Sequence, residues 1–168
     1  ISLEIEEKGR KIHFCFSGDI GRYKLPLLRD PVMPENVDYL LMECTYGDKR
    51  HNDPGDAFKE FREVVERTIN RGGKVIIPAF AVGRTQELVY DLNMMMYAGH
   101  VSPVPVFVDS PLAVNASNVF SRHPECFDAE TRWFVQQARH PALDFKMLTY
   151  VQSVEESKAL NLRKDPMI

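Results

Sequence analysis

Two carboxylates in this chain stand where an extended run gives way to a loop. Asp19 closes Phe16-Ser17-Gly18-Asp19, and Glu43 opens Glu43-Cys44-Thr45-Tyr46-Gly47-Asp48 after the largely apolar residues 37–42. An acid at a strand terminus, beside a glycine that lets a ligand approach, has the chemistry of a metal ligand. Taken alone, Asp19 is more simply a turn aspartate bonding its own backbone. Glu43 needs a partner or a task, because burying an unpaired carboxylate is costly; loop amides satisfying a structural acid would serve equally. Two loops add polar groups of another kind. Ala79-Phe80-Ala81-Val82-Gly83-Arg84 joins a strand pattern to a helix pattern, so its amides and Arg84 suit a phosphate. Asp109-Ser110-Pro111 repeats that geometry after the next strand, with Ser110 open to a ligand or simply capping a helix. Neither loop is a Walker loop or a G-x-G-x-x-G fingerprint, and for each an ordinary strand-to-helix loop is the simpler reading. The histidines, His13, His51, His100, His123 and His140, show no HxH or HxxxH spacing, so no pair could hold a zinc ion alone. Of these, His51 is the one close in sequence to Glu43.

The elements that must position these groups follow from periodicity. Residues 1–7 and 11–16 alternate apolar and polar around Lys8-Gly9-Arg10, a β-hairpin signal. Residues 37–42 predict a short buried strand. A helix is expected after the loop 48–54, with Phe58, Phe61, Val64, Val65 and Ile69 on one face and Gly72-Gly73 as its stop. Residues 74–78 predict another buried strand. The next helix runs to Gly99 and carries Leu88, Val89, Leu92, Met95 and Met96 on one side. The unit then repeats. A strand over 104–108 is placed at an edge or a strand start by Pro105, and Ser110-Pro111 launches a helix. A short helix over 128–139, a strand over 145–150 and a last helix with Ser153 and Glu156 spaced as a capping box complete the pattern. Strands alternating with helices from residue 74 onward imply a parallel sheet. The hairpin lies outside that pattern, which puts a boundary near residue 47.

The 168 residues suffice for one domain or parts of two. A net charge of −3 excludes nucleic-acid binding through a global positive field and leaves local patches or backbone amides. Three cysteines, Cys15, Cys44 and Cys126, form no CxxC pair and fit neither a disulfide framework nor a zinc knuckle. Cys15 and Cys44 are expected as core thiols in a reducing, cytoplasmic setting. No run of roughly 18 apolar residues predicts a membrane span. The chain opens in mid-pattern at Ile1 and stops at Asp165-Pro166-Met167-Ile168, which reads as the start of another strand; a fragment of a longer protein is expected.

In order, Ser17-Gly18-Asp19, Glu43-Cys44-Thr45-Tyr46-Gly47-Asp48, Pro78-Ala79-Phe80-Ala81-Val82-Gly83-Arg84-Thr85-Gln86-Glu87-Leu88 and Val108-Asp109-Ser110-Pro111-Leu112-Ala113 form a series. That series resembles the β-CASP family of metallo-β-lactamase-fold nucleases, on its RNA-processing branch. The resemblance runs across nearly the whole chain and lies in the combination, not in any single motif. It implies an α/β fold: residues 1–47 end a metallo-β-lactamase (αββα) domain, and residues 48–168 form an incomplete parallel-sheet β-CASP domain. It places the active site in the cleft between them. It implies that Asp19 bridges two zinc ions and that Glu43 is the catalytic-site acid supporting a histidine that protonates the leaving oxygen. Arg84 and Ser110 match loops facing that cleft, and with His51 they are candidate contacts for RNA. The H-x-H-x-D-H zinc motif would precede residue 1, and the later histidines would follow residue 168.

The resemblance thus implies a zinc-dependent phosphodiester hydrolase acting on RNA, as an endo- or exoribonuclease, in the intact protein. With one bridging aspartate, the chain alone is expected to bind no zinc and to be inactive. The alternative is a non-catalytic scaffold subunit of an RNA-processing complex, which need not keep Asp19 or Glu43. A generic nucleotide-binding module would carry a glycine-rich fingerprint that is absent here. A hairpin and a sheet without their neighbours leave unpaired edges, so self-association of the isolated chain is expected, with no membrane partner.

Overall fold

The computed structural model describes all 168 residues. They form two compact units, Ile1–Leu25 with Asp30–Asn52, and Pro26–Arg29 with Asp53–Ile168. No helix is long and apolar enough to cross a membrane.

In the first unit, β1 (Ser2–Glu7) and β2 (Arg10–Phe16) pair antiparallel, from Ser2 opposite Cys15 to Glu7 opposite Arg10. The connection Lys8-Gly9 has both φ angles positive, 51° and 77°, the geometry whose twist matches the flanking strands. β3 (Tyr39–Leu41) lies parallel to β2, with Phe14 opposite Tyr39 and Phe16 opposite Leu41. Asp38 sets this register. Its Oδ2 accepts from the His13 amide at 2.8 Å, and its own amide donates to the His13 carbonyl at 2.9 Å. Within the three strands Cys15 alone is buried. The expectation of a buried strand over 37–42 is therefore corrected. Tyr39, Leu40 and Leu41 are each more than half exposed, because this unit has a three-stranded sheet and no helix to cover it. Cys44, expected in the core, is exposed beyond the strand, in a turn where its carbonyl accepts from the Gly47 amide at 3.1 Å.

The second unit opens its helices with the caps that the sequence supplies. Asp53 accepts from the Gly55 amide at 2.8 Å and Pro54 begins α1 (Pro54–Asn70). Val65 is fully buried, and Phe58, Phe61 and Ile69 pack around it. Val64, expected on that face, is 39% exposed, since it lies one residue off the 58–61–65–69 stripe. Gly72, at φ 77°, ends the run. α2 (Arg84–Tyr97) follows, then β4 (Val106–Val108), α3 (Pro111–Arg122), α4 (Ala129–Ala138), β5 (Leu148–Tyr150) and α5 (Val154–Leu160). Ser153 and Glu156 form the expected capping box on α5.

β4 and β5 pair parallel, Val106 opposite Leu148. On the other side of β4, Ile168 donates its amide to Pro105 at 3.0 Å and accepts from Phe107 at 2.9 Å. Met167 in turn bridges in parallel to Lys74. Lys74 and Val75 therefore reach β4 through Met167 and Ile168. The strand expected over 74–78 reduces to that single bridge, with Ile76 87% exposed. A ladder needs a partner along its length, and beyond Val75 this segment is paired with none.

The core holds one insertion that periodicity does not announce. Leu27, between Pro26 and Leu28 in the proline-rich stretch, is 0% exposed and packs with Phe127 and Phe134. Its carbonyl accepts from Asp128 at 3.1 Å, and Arg29 donates to Cys126 at 3.1 Å.

Candidate functional site

The two acids singled out by sequence end neighbouring strands. Asp19 lies three residues past the end of β2 and Glu43 two past the end of β3, and the two strands are adjacent and parallel. Ser17 ties the tips together. Its amide donates to Leu41 at 2.9 Å, and its hydroxyl accepts from the Glu43 amide at 3.1 Å while donating to Gly18 at 2.7 Å. Gly18 turns the chain at φ 54°, and Asp19 is exposed beyond it. Glu43 is exposed as well, so its cost is not that of a buried charge. The Thr45 amide donates to its Oε2 at 2.8 Å, and this hydrogen bond, with help from the Thr45 hydroxyl, holds the carboxyl below the usual carboxylate range. Glu43 is therefore a fixed acceptor at neutral pH. His51 does not meet Glu43; its ring sits edge-on against Tyr46, centroids 4.9 Å apart.

In the second unit, the loops before α2 and α3 border one cleft of about 150 Å³, lined by Ile77, Ala79, Thr85, Asp109, Ser110 and Ile168 among others. Ser110 caps α3, its hydroxyl accepting from the Ala113 amide at 3.2 Å, and Asp109 accepts from Ser157 at 2.7 Å. Arg84 is not free. Its Nη1 lies 2.8 Å from Glu87 Oε2, an ion pair without hydrogen-bond alignment, since that buried oxygen has no donor. One turn on, burial pushes the Asp91 carboxyl up to about 7, with the Glu87 charge adding to the effect and Arg84 opposing it.

A zinc centre needs three or four protein ligands. No three His, Cys, Asp or Glu side chains in the chain converge in a way that could hold a metal ion. The residues present do not fit such a centre by themselves.

Gln86 escaped the sequence reading, since a buried amide inside a helix leaves no local signature. It is 0% exposed and bonds to the loop before α2 and to α3 at once. Ser17 is equally silent in sequence, because its bond to the Glu43 amide depends on the register of β2 and β3.

Comparison with known proteins bears on the whole arrangement. Residues 85–168 match the family model of the Beta-Casp domain. The chain is 37% identical to Ribonuclease TTHA0252 of Thermus thermophilus over 99% of its length and 38% of that protein. It is 33% identical to Transcription termination factor FttA of Lokiarchaeum sp. over 78% of the chain and 21% of the relative. With Endoribonuclease YSH1 of Eremothecium gossypii the figures are 27%, 92% and 20%. The chain thus spans less than half the length of these curated relatives.

Proposed function

The chain belongs to the β-CASP family, and from that premise we propose that it is part of an RNA-processing phosphodiester hydrolase to which it contributes Asp19 and Glu43. In this reading the sheet of the first unit ends a metallo-β-lactamase domain, and residues 48–168 are the β-CASP portion. The observation that carries it is the placement of two acids on adjacent parallel strand tips joined through Ser17. The ribonuclease and endoribonuclease among the relatives support RNA as the substrate class.

The two acids have different work. Asp19, exposed beside Gly18, keeps its carboxylate oxygens open and is the proposed metal ligand. The remaining ligands of a two-zinc centre would lie outside this chain, which offers no site of its own. Glu43, held ionised by Thr45, cannot serve as a proton donor near neutral pH. It acts by accepting a hydrogen bond from a donor that it orients. Ser110 and His51 remain proposed RNA contacts, as does Arg84, whose charge is offset by Glu87 but whose remaining N–H donors are open to a phosphate. A scaffold subunit, the competing reading, gives no reason for two acids at neighbouring strand tips.

The test is cleavage of fluorescent RNA in the presence of zinc by the 168-residue chain and by the full-length protein. The full-length protein is expected to cleave and the isolated chain is not. Turnover by the isolated chain that disappears with Asp19→Ala would overturn the division of ligands. A full-length protein that leaves RNA intact would overturn the hydrolase reading.

A further inference from the structure

The loop that leads into α2 presents an aromatic ring to solvent on a backbone fixed from inside the protein. Phe80 is 87% exposed. Its carbonyl accepts from both the hydroxyl of Thr85, at 2.8 Å, and the Thr85 amide, at 3.3 Å. Beneath the loop lies the carboxamide of Gln86, with 0% exposure. Its Oε1 accepts from the Gly83 amide at 2.7 Å, and its Nε2 faces the carbonyl of Ala81 at 3.1 Å, the hydroxyl of Ser117 at 3.0 Å and, at 3.4 Å, the carbonyl of Ala113. The orientation of the amide is dictated by these partners, because the flipped form would set its oxygen against two carbonyls. A buried carboxamide is costly unless satisfied, and here both of its ends are used on the loop and on α3. Gly83, at φ 82°, supplies the turn that the bond to Gln86 requires.

We infer that this loop is a preset contact for single-stranded RNA, in which the Phe80 ring stacks on a base and Gln86 is the positioning residue that holds the ring in place. The inference rests on the RNA reading above. Two observations and a general property of bases select the ring over its neighbours. The Arg84 guanidinium, the loop's one cation, has its charge offset by Glu87 2.8 Å away. The net charge of −3 gives this chain no general attraction for RNA, so its own contacts must come from local groups. Every base has a π-face, so an exposed aromatic on a stiff loop binds single strands without regard to sequence, and the ordering cost is met in the free protein by the Gln86 bonds.

The experiment measures binding of a fluorescein-labelled oligoribonucleotide to the full-length protein by anisotropy, together with amide exchange at Gly83. Phe80→Ala is expected to weaken binding between about fivefold and about a hundredfold, the range for loss of one stacked base. Phe80→Trp should stay within about threefold of the parent. Gln86→Leu should speed exchange at Gly83 and weaken binding. The Phe80→Ala, Gln86→Leu pair should bind no more weakly than the worse single variant, since both remove the same contact. Phe80 is a surface residue, so its variants fold even where Gln86→Leu does not. A parent that binds RNA and a Phe80→Ala variant that binds it equally well would overturn this inference and leave the hydrolase reading standing. A parent that binds no RNA would overturn both.

Discussion

Asp91 makes this protein less stable as pH rises, the reverse of the usual aspartate. In the folded chain its carboxyl is pushed up to about 7 by burial first and by Glu87 second, against an ordinary value of 3.8. Between those two values the folded state holds the proton and the unfolded state has released it. Stability attributable to Asp91 therefore falls as pH climbs through that window, and the full penalty is present above it. At about 1.4 kcal/mol per pH unit, the interval sets a ceiling of about 4 kcal/mol near pH 8 and less than about 2 kcal/mol near pH 5. Asp91 retains partial solvent access, so a realistic difference between the two conditions is roughly 1–2 kcal/mol. Asp91→Asn is neutral at both pH values and should remove it. Urea unfolding of parent and variant near pH 5 and pH 8, at unchanged slope, reads the double difference directly. The variant should be more stable than the parent at the higher pH and closer to it at the lower. Equal stability at both, or a variant weaker at pH 8, would refute the reasoning.

Leu27→Ala empties a site of 0% exposure in the second unit and should lower stability by about 2–5 kcal/mol, read as a shift in urea midpoint; a change below about 1 kcal/mol would deny Leu27 its place in the core. Ser17→Ala removes the acceptor of the Glu43 amide and should cost about 1 kcal/mol, with faster exchange at that amide; unchanged exchange would show the tips are not coupled. The buried hydroxyls of Tyr90 and Thr131 lie side by side without meeting hydrogen-bond geometry, so Tyr90→Phe should change stability by no more than about 1 kcal/mol, a result that a larger loss in thermal melting would contradict. The exposed apolar residues of β3 and Met42 should make the isolated 168-residue chain associate in light scattering, where a monodisperse monomer would be the opposite outcome.

What the sequence disclosed follows from the range of each signal. Helix starts are local events, and Asp53-Pro54, Ser110-Pro111 and Ser153–Glu156 cap their helices through bonds that span two or three residues. The strand-tip acids were legible for a similar reason, because a carboxylate after an apolar run marks where pairing stops. Strands themselves are agreements between distant segments. Residues 74–78 carry a strand's composition yet pair at one bridge, with Met167. The exposure of β3 is equally invisible locally, because burial depends on a covering layer and not on hydrophobicity. Leu27 shows the converse, an apolar residue in a turn-rich stretch drawn into the core by Phe127 and Phe134. The RNA-contact candidates divide along the same line. Arg84 was chosen for its charge, but its ion pair with Glu87 is a matter of geometry.

The most direct measurement compares kcat/KM for RNA cleavage by the full-length protein with that of its Asp19→Asn and Glu43→Gln variants, each checked for unchanged melting. Both substitutions keep side-chain size, remove the charge and replace one acceptor oxygen by an NH2 donor. A fall of about two orders of magnitude or more in each is expected if one acid serves the metal and the other orients a reacting group. Cleavage by either variant within about twofold of the parent would contradict a shared site at the tips of β2 and β3.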